Sequence, residues 1–384
     1  MCEFVQQLTG IERQDFEPSQ ITSTSNSDML DLRSDFLTRP TPEMVKAMTE
    51  AAARRGGFGL REDQDVQTLE SLAAQMVGKE DALFCASCGM ANQIAIHLRC
   101  RPGNALVAEA TSHVILSEAG GPAALSGVMC RGLPGTDGVL NFSLLDEALS
   151  AGDSQRSKAD LLVVENTHVR SGGSLISLED SRYLQNAARR HGVSVHLDGS
   201  RIFNAAVAMG VMPSEICDTA DSVAFSLNKG LAAPLGAILA GSSDFISEAV
   251  RVRQMFGGGW RPAGIPAAAA RIALLTMPER LADDHEVARS LGDALTALEG
   301  ISLGQKQVWT NLVLVDLDEG ICSAIEFATE LSHHGVMALP FGKFRLRLAV
   351  YYEIKKSDID LIVAAFSTVL EATRSKNPEG NSHG

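Results

Sequence analysis

From Ala82 to Ala240 the chain alternates short apolar runs with segments of helical periodicity, and this alternation restricts the fold more than any other feature. The runs are Ala82–Cys85, Ala105–Ala108, Leu161–Val164, Val193–Leu197, Ser222–Ser226 and Ala237–Ala240. Their length suits strands rather than buried helices, and their near-continuous apolar character suits strands covered on both faces. Helical patterns fill 90–100, 144–150, 179–191, 201–209 and 244–255. A parallel pair of strands needs a crossover long enough to hold a helix, so the pattern predicts an α/β unit with a largely parallel sheet.

Ahead of this unit, Met44, Val45, Met48 and Ala51 mark a helix over 42–53, with Pro42 in its first turn. Leu69, Leu72, Ala73 and Met76 mark another over 66–77. Beyond Pro278 the pattern changes to a long helix at 280–298, strands at Leu312–Val315 and Phe344–Ala349, and helices at 322–335 and 356–373. A chain of 384 residues exceeds one compact core. The expected division is an N-terminal extension (1–29), a large domain (30–277) and a small C-terminal α+β domain (278–384).

The formal net charge of −14 argues against nucleic acid or an anionic membrane as partner. No apolar span is long enough to cross a membrane and no secretory leader is evident, so a cytoplasmic location is expected. Seven scattered cysteines do not form a disulfide framework. Cys85 and Cys88 form a lone C-x-x-C without a second ligand pair, so no metal is expected.

The chemistry concentrates at strand ends. Lys229 closes Ser222-Val-Ala-Phe-Ser-Leu-Asn-Lys and precedes a turn rich in Gly, Ala and Pro. There it either snorkels to solvent or is desolvated into a nucleophilic amine. Asp198 ends Val-His-Leu-Asp, where an ionised carboxylate needs a partner or caps the next helix. An amine and an acid so placed match the needs of pyridoxal 5'-phosphate, which is held as a Schiff base by lysine and by an acid at its ring nitrogen. Ser87, Cys88 and Gly89 open a helix after a strand, a place where free amides bind phosphate. His113 is a candidate for stacking on the ring and for acid–base work. Arg201 and Arg347 lie in apolar settings, as a carboxylate grip or as halves of structural ion pairs. Arg261 follows Gly257-Gly-Gly as a further phosphate cation, and Glu165 and His168 close another strand.

These blocks, in this order, resemble the L-threonine aldolase family of low-specificity β-hydroxy-amino-acid aldolases. They are Asp31-Leu-Arg-Ser34-Asp, Ser112-His113 with Glu118-Ala-Gly-Gly, Glu165-Asn-Thr-His168, His196-Leu-Asp198-Gly-x-Arg201, Leu227-x-Lys229-Gly-Leu and Gly257-Gly-Gly-x-Arg261. The resemblance implies a fold-type I pyridoxal-phosphate architecture, an amino-acid substrate, and cleavage to glycine and an aldehyde. It implies Lys229 as the covalent lysine, Asp198 as the ring-nitrogen partner, and Ser34, Arg201 and Arg347 as carboxylate contacts. Arg261 becomes a phosphate contact, in a homo-oligomer (dimer or dimer of dimers) with shared active sites.

Several positions depart from the family pattern. Cys88-Gly89 stands for Gly-Thr, Leu60-Arg61 for Tyr-Gly, and Phe36 for a threonine. Trp260 and Pro262 replace Met and Gln, and Gln155 stands where some members carry a second histidine. The changes suggest a substrate side chain other than methyl, with Arg61 as a possible reader of an anion. β-Elimination and Cα epimerisation on the same groups are the alternatives, and a non-catalytic subunit is a further one.

Overall fold

The computed structural model describes residues 29–150 and 152–376. The expected N-terminal extension, apart from residue 29, and the last eight residues lie outside them.

Seven strands form the main sheet: β1 (Asp81–Cys85), β2 (Ala105–Glu109), β3 (Met129–Leu133), β4 (Ala159–Glu165), β5 (Ser194–Asp198), β6 (Ser222–Ser226) and β7 (Ala237–Gly241). Their order is β1-β7-β6-β5-β4-β2-β3. The pairs from β3 to β6 are parallel, and only β7 runs antiparallel to its neighbours. Alternation along each strand sends side chains to opposite faces. Val195, Leu197, Val223 and Phe225 pack on one face, and Leu83, Ala224 and Leu239 on the other. The expected α/β sheet is therefore present and is covered by helices on both sides.

Helix α1 (Pro42–Ala52) packs with α5 (Gly264–Thr276), and α5 also meets α2 (Gln64–Val77). Between them in sequence are α3 (Cys88–Arg99) and α4 (Ser243–Met255). α3 lies against the face opposite to α5, where Ala91, Ile94 and Ala95 pack with β1 and β7. Ser87 caps α3 by accepting from the Met90 amide at 3.1 Å.

A second sheet follows α6 (Leu281–Thr296), with β8 (Ile301–Leu303), β9 (Leu312–Leu317), β10 (Leu339–Pro340) and β11 (Arg345–Ala349) in the order β8-β9-β11-β10. It has its own apolar cluster, including Val313, Phe327, Leu348 and Phe366. Leu30–Asp31 pairs with Val336–Met337, and Leu32 joins this second cluster. The segment carrying Ser34, Asp35 and Phe36 is thereby anchored to the smaller sheet yet faces the larger one.

Candidate active site

Parallel strands place their ligands at their C-terminal ends. Here Glu165 and Asp198 end β4 and β5 and are register partners. The chain leaves β6 at Ser226 and reaches Lys229, which opens a one-turn 3-10 helix at Lys229–Leu231. Lys229 and Ala232 both adopt left-handed backbone, with φ of 61° and 62°. Such non-glycine conformations cost on the order of 1–3 kcal/mol each and persist where surrounding packing enforces them.

A cleft of about 120 Å³ brings together Lys229, Asp198, Arg201, Arg347, His113 and Ser34. Glu165, Ser200, Val169 and Phe36 complete its wall. The Lys229 ammonium is buried, and burial followed by the Arg201 cation pulls its pKa down. That favours the neutral, nucleophilic amine. Nζ sits 4.9 Å from the Phe36 ring centroid.

Asp198 is 1% exposed. Its Oδ2 accepts from Asn92 at 2.9 Å, and its Oδ1 accepts from the Ser200 amide at 3.2 Å. The Cys88 thiol lies 3.9 Å from Oδ1. The first turn of α3, with the uncapped amides of Cys88 and Gly89, therefore lies beside this acid.

His113 opens a short helix, and its backbone amide donates to Glu165 at 2.6 Å. Its Nδ1 is 3.0 Å from Glu118 Oε1, which leaves Nε2 for the cleft. The Glu118 bond raises the His113 pKa against the opposing effect of burial. His168 lies behind this wall, fully buried, 3.1 Å from Glu109.

Arg201 is not free to turn. Its Nε and one terminal nitrogen donate to Asp35 at 2.8 and 2.6 Å. Burial pushes the Asp35 carboxyl up, but Arg201 more than offsets it and leaves it at about 2. One guanidinium edge of Arg201 is thus committed to Asp35. Arg347 is less committed: one terminal nitrogen donates to the Arg33 carbonyl at 3.0 Å, and its buried Nε has no partner. Burial and then Arg201 lower its pKa to about 10. A buried guanidinium nitrogen without an acceptor is a vacancy that a carboxylate fills.

Two expected contacts lie elsewhere. The Arg61 guanidinium donates to Asp81 at 2.8 and 2.9 Å, to Glu70 at 2.9 Å and to the Ala82 carbonyl at 3.0 Å. It braces the start of β1 and does not reach the cleft, so the expectation of an anion-reading Arg61 is withdrawn. Glu70 is 1% exposed, and Arg61→Ala leaves that carboxylate with the Phe84 amide at 2.8 Å and, as its nearest cation, the more distant Arg253, 4.0 Å away. We expect a loss of about 3 kcal/mol in chemical denaturation, with substrate KM unchanged in the folded fraction. The Arg261 guanidinium is exposed and donates to the carbonyls of Phe58 and Gly259 at 2.5 and 2.9 Å. Gln155 sits on an exposed loop.

Three residues of the site had no role in the sequence reading: Asp35 and Glu118 stood unassigned inside the quoted blocks, and Asn92 escaped it. Asn92 was the most discoverable, as an amide within the otherwise apolar inner face of α3.

Pyridoxal phosphate suits this donor set. Lys229 would hold it covalently, Asp198 would face its ring nitrogen, His113 would flank it, and the Cys88 and Gly89 amides would take its phosphate.

Comparison with known proteins agrees with this. Residues 31–319 match the family described as Beta-eliminating lyase. A low-specificity L-threonine aldolase of Arabidopsis thaliana is 34% identical over 346 residues, covering 89% of this chain and 96% of that protein. An alanine racemase of Cochliobolus carbonum is 30% identical over 359 residues, covering 90% and 89%. The structure of a Leishmania major threonine aldolase superposes with a TM-score of 0.77 at 18% identity, covering 89% of this chain and 99% of the other.

Proposed function

Given that this chain belongs to the beta-eliminating lyase family, we propose that it cleaves the Cα–Cβ bond of L-β-hydroxy-α-amino acids, releasing glycine and an aldehyde. The observation that carries the reading is one cleft lined by a buried lysine, a buried strand-end carboxylate and an arginine with an unpartnered Nε. Bound pyridoxal phosphate supplies an electron sink for the bond broken at Cα.

The protein's own residues do the rest. Arg347 presents its free Nε, and Arg201 its edge not held by Asp35, to the substrate carboxylate. Ser34 lines the same cleft. Holding the carboxylate selects which bond at Cα is aligned for cleavage, an orientation effect that amounts to several kcal/mol. His113 Nε2 accepts the β-hydroxyl proton as the aldehyde carbonyl forms. Glu118 keeps the ring oriented through Nδ1. Delivery of a proton to Cα completes glycine.

His113 must be neutral to accept that proton, and Glu118 raises its pKa above the ordinary histidine value. Activity should therefore rise as pH climbs through that raised value and fall below it.

The test is incubation with L-threonine, L-allo-threonine and β-phenylserine, with aldehyde, glycine and 2-oxo acid measured separately. Aldehyde and glycine in equal amounts are expected. A 2-oxo acid without aldehyde refutes the cleavage reading. The likeness to an alanine racemase favours Cα epimerisation as the second reading, and chiral analysis of the recovered amino acid discriminates it.

The reading includes a homo-oligomer, dimer or dimer of dimers. Its support is that Arg261 is not among the residues lining its own chain's cleft and lies exposed beside Phe58, itself 87% exposed. Among the described residues no helix is long and apolar enough to cross a membrane.

A further inference from the structure

Asn92 lies fully buried one turn into α3 and touches Asp198, which lines the cleft, and Glu118, which holds His113. Its Nδ2 donates to Asp198 Oδ2 at 2.9 Å and to Glu118 Oε1 at 2.8 Å. Ligand atoms of Asp198, Glu118 and His113 all lie within 4.8 Å of one another. Two carboxylates so close repel unless a donor stands between them.

The orientation of this amide is decided by its partners. Carboxylates only accept, so the NH2 group faces them and Oδ1 faces the third partner, His196 Nε2, at 3.1 Å. Nε2 of His196 must then carry its hydrogen, and Nδ1 accepts from the Ser222 hydroxyl at 2.9 Å. Burial pushes the His196 pKa down to about 4, consistent with a neutral ring. The chain of bonds runs Ser222, His196, Asn92, then forks to Asp198 and to Glu118, which holds His113. Strand alternation makes this possible: His196 and Asp198 share one face of β5, the face that α3 covers.

We propose that Asn92 is a positioning residue, locked by His196, that holds the Asp198 carboxylate in place for the cofactor's ring nitrogen and couples it to the Glu118–His113 pair. It touches neither substrate nor reacting atoms. The proposal rests on the cofactor reading given above.

The test compares wild type with Asn92→Leu, which keeps the branched shape but cannot donate, and with His196→Phe and His196→Gln. His196→Phe removes the donor to Asn92 Oδ1, whereas His196→Gln retains one. Apoprotein is titrated with pyridoxal 5'-phosphate, followed by visible absorbance, and melting temperature is recorded alongside. Hydrogen bonds to charged groups are each worth roughly tenfold or more in an equilibrium. Asn92→Leu should weaken cofactor binding by about that factor and lower kcat with little change in KM. His196→Phe should move both in the same direction, and His196→Gln should recover them.

If Asn92→Leu does not fold, the two His196 variants carry the test. Wild-type cofactor affinity and kcat in Asn92→Leu, or in His196→Phe should Asn92→Leu not fold, overturn the proposal, whatever happens to the melting temperature. Equal defects in His196→Phe and His196→Gln overturn the lock. A wild-type protein that takes up no pyridoxal phosphate instead sinks the functional reading, and this inference with it.

Discussion

Lys229→Ala yields a folded protein that forms no borohydride-reducible bond to pyridoxal phosphate and has lost on the order of 10³-fold or more of its activity. The fold survives because the ammonium gains little where it lies. Burial and the Arg201 cation both work against its charged form. The side chain contacts the Phe36 ring, and among the described residues Nζ has no hydrogen-bond partner. Asp35 and Asp198 favour the charge but do not outweigh burial and Arg201, so removing the cation relieves more cost than it exposes. The left-handed backbone at 229 is retained, since alanine already tolerates the same conformation at Ala232. Activity is lost because, among the described residues, no other lysine lines the cleft. Melting temperature, absorbance and mass after borohydride treatment check the three parts separately. A reducible adduct in the variant would place the covalent attachment on another residue.

The same physics explains what the sequence disclosed. A lysine and an aspartate at the ends of apolar runs stand out because burying an ionised group requires a reason. All six expected strands of the main sheet are present, and the charged residues closing the apolar runs located the cleft. Edge strand β3 was missed because Met129-Cys-Arg-Gly-Leu is mostly exposed and carries Arg and Gly. Helix α5 was missed because its alanine-rich sequence is apolar on several sides, as suits a helix packed against both α1 and α2. The reversed direction of β7 left no local signature.

Within the site, most residues that line the cleft were legible and their partners were not. Asp35 meets Arg201 across 166 positions, and Asn92 meets Asp198 across 106. Contacts that the fold alone brings about leave no local pattern. Arg61 failed for the opposite reason. It was judged from a departure in a polar loop, while its partners Glu70 and Asp81 come from α2 and β1.

Asp198→Asn isolates the charge from the shape of this acid. The side chain keeps its volume, so packing in a position 1% exposed is preserved. Its hydrogen bonds are not. Asn92 Nδ2 and the Ser200 amide both donate to Asp198, one to each oxygen. An asparagine offers one oxygen, so its NH2 must face one of these donors and leaves it unsatisfied. That costs about 1–3 kcal/mol of stability, readable as a lower midpoint in chemical denaturation. The larger effect falls on chemistry. A pyridine nitrogen keeps its proton where a carboxylate faces it, and a neutral amide supplies no such charge. Preorganised charge of this kind contributes roughly 10²–10³ in kcat. We therefore expect kcat to fall by about that factor, with the covalent link at Lys229 still forming because the amine is untouched. Link formation with kcat lost separates the two residues' roles. A variant with wild-type kcat would remove Asp198 from the machinery and leave the buried carboxylate without a purpose at the end of β5.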